Sequence, residues 1–155
     1  MPYNARSSWH VYAQPSQQRQ RTRLLNLLGE ARAIVLSGHL HKYSFLIRRT
    51  ETGRFVQLAL SSVASSADAR PRDEREGVDQ YGPDLVQLEP RHSPETVEQR
   101  RRLLQEERPW VERYEYADTW GHALLKVRGD QVRAEVYRGF EAQPWKSIDL
   151  TGPLT

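Results

Sequence analysis

Residues 33–41 read Ala33-Ile34-Val35-Leu36-Ser37-Gly38-His39-Leu40-His41, an apolar run that meets a glycine and then two histidines one residue apart. Ile34, Val35 and Leu36 suit a buried strand, in which residues i and i+2 lie on one side about 6.5 Å apart. At the end of such a strand, His39 and His41 can face one cleft. Imidazole is a good ligand for zinc, iron and related transition metals. Two rings at that separation can each hold one ion of a pair set about 3.5–4 Å apart. Gly38 is expected to let the backbone turn where a side chain would crowd the site. Taken alone, the pair also suits two strand-end rings hydrogen-bonded to backbone.

Working outward, Ser16 is a reasonable helix cap, and Leu24, Leu25, Leu27 and Leu28 form an apolar stripe at helical spacing. Gly29 suits the helix stop, and Arg19, Arg21, Arg23 and Arg32 fall around the other face, where solvent is their expected surrounding. A helix feeding a buried strand is the end of an α/β crossover unit. After His41, Tyr43, Phe45 and Ile47 alternate with polar positions. Thr50-Glu51-Thr52-Gly53 makes a turn, and Val56, Leu58 and Leu60 mark a returning strand. That pattern signals an antiparallel hairpin.

The run from Arg32 to Ser44 closely resembles the last metal-binding motif of the calcineurin-like metallophosphoesterases, the family that includes the purple acid phosphatases. The resemblance covers residues 16–63 well and the C-terminal strand pairs more loosely. It implies that His39 and His41 each bind one ion of a dinuclear centre, two divalent or trivalent metals (manganese, iron or zinc). It also implies a phosphate-ester substrate. The implied fold is α/β, the C-terminal half of a four-layer α/β/β/α sandwich. The family's other motifs, Asp-x-His, Gly-Asp-x-x-Asp and Gly-Asn-His-Asp/Glu, are absent. The one Gly-Asp pair, Gly129-Asp130, has Arg133 where the second aspartate belongs and reads as a hairpin turn. The chain therefore resembles a partial domain that begins mid-way. Its expected partner is the missing N-terminal half, and without it the chain is expected to be inactive.

Length and composition agree with one ordinary domain: 155 residues, 37% hydrophobic and 28% charged. No apolar run approaches the ~20 residues that span a bilayer. With no cysteine, the chain has histidine and carboxylate as its metal ligands and forms no disulfide. A net charge of +3 permits phosphate-bearing partners without demanding them.

Residues 1–14 have no regular period and read as a loop, in which His10 is a candidate substrate contact or a surface histidine beside Trp9. Residues 64–91 break any period and read as an irregular insertion or mobile loop. Ser93-Pro94-Glu95 starts a charged helix anchored by Val97, Leu103 and Leu104 and ended by Pro109. Gly129-Asp130 joins two strands, residues 123–128 and 132–137, and Ile148 and Leu150 suggest a last short strand. His122 reads as a strand-start residue. The competing function is a non-catalytic basic module that binds protein or nucleic acid through its arginines. These are interleaved with Glu and Gln and lack a regular aromatic platform, so nucleic acid is the less expected partner.

Overall fold

Two periodicities, 3.6 and 2, resolve into two α-helices and eight strands in a computed structural model that describes residues 15–38, 42–61, 63, 73–81 and 97–155. Helix α1 (Gln18–Glu30) leads into β1 (Ile34–Ser37), and β2 (Tyr43–Arg49) with β3 (Arg54–Ala59) forms the expected hairpin. A short β4 (Glu74–Glu76) follows. Helix α2 (Val97–Glu107) and a 3₁₀ turn at Arg108–Trp110 then feed β5 (Val111–Ala117). Strands β6 (Gly121–Arg128), β7 (Gln131–Arg138) and β8 (Lys146–Asp149) complete the chain.

Five strands form a mixed sheet in the order β1-β3-β2-β5-β4, with β1 parallel to β3 and the other pairs antiparallel. The second sheet, β6-β7-β8, is antiparallel throughout. The expected α/β class is therefore a mixed fold of two sheets, with strands outnumbering helices among the described residues.

Alternation decides which face packs where. Tyr43, Phe45, Ile47, Val56 and Leu58 of the first sheet meet Ala134, Val136, Ile148 and Leu150, and this is the main core between the sheets. Tyr114 and Tyr116 point the other way, onto Leu103 and Leu104 of α2 and Tyr81. A bulge between Ile47 and Arg48 pairs Arg48 with Val111 and leaves Glu112 unmatched. It turns Val111 onto the helix side, where it joins the tyrosines.

Several expectations are corrected. Ser16 does not cap α1; a 3₁₀ turn at Pro15–Gln17 leads in, and Gln17 holds the cap position without a side-chain hydrogen bond. Gly29 does not stop the helix. It lies inside the last turn, where a Cβ would run into the Thr50 hydroxyl. The stop is made by Ala33 N–H bonding to Leu28 O and Arg32 N–H to Gly29 O, both at 3.0 Å, with Arg32 left-handed at φ 47. Glycine is the usual occupant of that position, and an L side chain there costs about 1 kcal/mol.

Arg21 is not solvated. It is buried at the head of the inward stripe Arg21, Leu25, Leu28, Gly29, while Leu24 and Leu27 are exposed. Within the stretch read as irregular, Glu74–Glu76 is a strand paired with Ala117–Glu115, and Val78–Gln80 forms a 3₁₀ turn. Residues 64–72 and 82–91 lie outside the described residues, as do Ser93-Pro94-Glu95. Among the described residues, no helix is long and apolar enough to cross a membrane.

Candidate functional site

The histidine stretch runs between two fixed points. Ser37 at the carboxyl end of β1 and Ser44 near the start of β2 both take Ala59 of β3 as register partner, from opposite sides. Two inter-strand steps separate them, about 10 Å. Leu60 N–H donates to Ser37 O at 2.9 Å and closes this rim. His39 and His41 themselves lie outside the described residues, as does His10. Gly38 is exposed, is not left-handed, and a Cβ there would meet nothing within 4 Å. No described atom supplies the crowding that would require a glycine.

Beside this rim, Lys42 Nζ lies 2.7 Å from an Asp118 carboxylate oxygen and 6.0 Å from the centre of the Tyr116 ring. Asp118 N–H donates to Asp73 O at 2.8 Å, and Asp73 in turn pairs with Arg75 at 3.0 Å. Burial pushes the Tyr116 hydroxyl above the ordinary phenol value, and nearby Lys42 opposes the shift. Both carboxylates here are thus neutralised by a cation. Among the described residues, no group of three or more His, Cys, Asp or Glu side chains is placed to hold a metal.

The buried ionic centre of the molecule is Glu115, 2% exposed on the core face of β5. Tyr43 Oη donates to its Oε2 at 2.9 Å, Lys146 Nζ to Oε2 at 2.7 Å, and Arg113 Nη2 to Oε1 at 2.6 Å. Burial alone would raise the Glu115 carboxyl. The bonds from Lys146, Arg113 and Tyr43 outweigh it and hold the carboxyl below the ordinary glutamate value. Tyr43 moves up, through burial and then through the facing Glu115 charge. Lys146 sits on β8, 5.0 Å from the Trp145 ring centre, so this cluster ties one sheet to the other. The sequence reading missed it. The available signal was Glu115 standing at an inward position of an alternating strand.

Comparison with family models, curated proteins and solved structures finds no match to this chain. The site therefore rests on its own residues.

A second buried cluster joins the helices to the first sheet: Glu107 of α2 pairs with Arg48 of β2 and, at 3.6 Å, with Arg21 of α1. Arg21 is thereby tied into the interior and unavailable to a nucleic-acid face. On the outer side of the second sheet His122 stacks on Tyr137, with ring centres 4.9 Å apart. His122 is the second residue of β6, where its strand-start reading puts it.

Proposed function

We propose that this chain carries the Gly-His-x-His portion of a metal-dependent phosphoesterase that hydrolyses phosphate mono- or diesters at a dinuclear centre. His39 and His41 would each hold one metal ion, manganese, iron or zinc. Those ions would neutralise phosphate oxygens and activate a hydroxide. Two neutral imidazoles cannot balance two such ions. Asp118 and Asp73, the nearby described carboxylates, are already paired with Lys42 and Arg75. In this reading the acidic ligands come from the missing half-domain, and no catalytic step is assigned to the described residues of this chain.

The observation that carries this reading is the attachment of the histidine stretch to the carboxyl end of a parallel strand. In open α/β sheets, ligands gather beyond the carboxyl ends of the strands. Here β1 is a short apolar strand at the sheet edge, fed by a helix. Parallel strands are ordinarily covered on both sides.

The missing half-domain draws support from one edge strand of each sheet. Ile34 and Ala123 pack on the core, which places Leu36, Leu125 and Val127 on the inward faces of β1 and β6. Yet these three are 46%, 41% and 66% exposed. Two edge strands with uncovered inward side chains suit further strands from a complementary polypeptide. Val127→Lys is accordingly expected to shift the stability of this chain by under about 0.5 kcal/mol, like an ordinary surface change. In a polypeptide extended upstream, it should destabilise by several times that amount. Urea midpoints of both forms measure the difference, and equal shifts would remove these edges from the proposal.

The direct test is hydrolysis of an aryl phosphate with added manganese, zinc or iron. This chain alone should show negligible turnover, and a form joined to the acidic half should be active. Robust metal-dependent turnover by this chain alone would overturn the partial-domain reading.

A further inference from the structure

Arg32, Arg49 and Arg54 line a crevice of about 350 Å³, completed by Thr50, Gly53 and residues 153–155, at the end of the sheet where β1 begins and β2 ends. We infer that this crevice binds a phosphate group, free or carried on a small organic molecule. No acidic side chain is among its lining residues. Arg54 is held in place by Glu112, with Nε 2.5 Å from Oε2 and Nη2 3.0 Å from Oε1, and its Nη1 donates to Pro153 O at 3.3 Å. The Arg49 guanidinium lies 5.7 Å from the Trp110 ring centre. Glu112 neutralises Arg54, which leaves Arg32 and Arg49 as the other two basic residues of the lining. The Arg54 fork is taken by Glu112, so Arg32 and Arg49 are the guanidinium groups suited to the paired oxygens of a phosphate, which accept two parallel hydrogen bonds from one fork.

The second observation is the backbone of Arg32. Its left-handed conformation sits where glycine closes most helices without strain. Interaction with the helix end does not require this residue at this position, because a cation anywhere in the last turn would serve. Strain kept at a charged residue whose side chain borders a basic crevice points to a ligand for that charge. The size is within the range of small-molecule sites. The site is independent of the roles proposed for His39 and His41.

The test is titration of this chain with inorganic phosphate and, separately, with glycerol phosphate, followed by backbone amide NMR. Both should shift amides of residues 31–33 and 49–54, and tighter binding of the ester would identify the phosphate as one carried on an organic group. Arg32→Gly should weaken binding by about fivefold, the upper worth of one exposed charge contact. The same change should raise the melting temperature by relieving the strained turn, so lost folding cannot explain lost binding. Arg49→Ala should weaken binding similarly, and Arg49→Lys by less. Unchanged affinity in Arg32→Gly, or phosphate-induced shifts confined to residues 37–44, would overturn the proposal. So would far tighter, steeply salt-dependent binding of a single-stranded oligonucleotide, which would reassign the crevice to a nucleic-acid backbone.

Discussion

Glu115→Ala is expected to destabilise this chain by about 3–5 kcal/mol, the usual consequence of removing one partner from a buried ion pair. Its carboxylate accepts from Tyr43, Arg113 and Lys146. Truncation leaves the Tyr43 hydroxyl without an acceptor inside the core and removes the closest carboxylate from Lys146. Glu76, at 3.6 Å and largely exposed, is a poor substitute. Glu115→Gln keeps the shape and one acceptor and should cost less, about 2 kcal/mol, in line with the loss of charge-assisted bonds. Urea unfolding at neutral pH measures both. An unchanged midpoint in Glu115→Ala would mean that the two sheets do not depend on this link.

The acid dependence has a definite sign. The Glu115 carboxyl is held below the ordinary glutamate value, about 4.3, so the folded state binds its proton less readily than the unfolded state does. Its contribution is therefore complete above that ordinary value and fades as pH falls through the depressed one. Glu135 and Asp149 are also depressed, by Lys126 and by the backbone of Gly152 respectively, but both are solvent-facing and weigh less. Glu115→Gln should flatten the loss of stability below about pH 4 relative to the parent. A parent and variant with parallel acid limbs would count against it.

The two hairpins were legible because their turns carry chemistry of their own. Gly129 is left-handed at φ 59 and Asp130 is not, the pattern of a type II′ turn between two alternating strands. Strand β4, Glu-Arg-Glu, was not legible. It has no apolar residue, and only pairing with β5 makes it a strand. Strand β5 was not legible either, since its bulge breaks the alternation at Arg113 and Val111. Arg21 was counted with the solvated arginines because helical spacing alone cannot tell an inward cation from an outward one. Its buried partner, Glu107, is 86 positions away in sequence. The same limit hid the Glu115 cluster, whose members lie on three strands. Residue types fixed the histidine pair as a candidate, but no local pattern could supply the acidic ligands it needs.

His39→Ala and His41→Ala are each expected to lower phosphoesterase turnover by at least about 100-fold in a polypeptide that also carries the acidic half. Loss of even a supporting neighbour of a metal ligand costs 10–100-fold, and a ligand should cost no less. The readout that separates this from a structural defect is metal content: each variant should retain about one ion per chain where the parent retains two. Folding should be nearly untouched, because the backbone pairings that fix this rim, Ser37 and Ser44 on Ala59 and Leu60 N–H on Ser37 O, involve neither imidazole. Lys42→Ala serves as the control. It removes the 2.7 Å pair with Asp118 beside the rim and should leave metal content at the parent value. Full metal loading and turnover in both histidine variants would end the phosphoesterase proposal, whatever the Arg32 crevice binds. Loss of one ion in each, with the melting temperature held, would assign one imidazole to each metal.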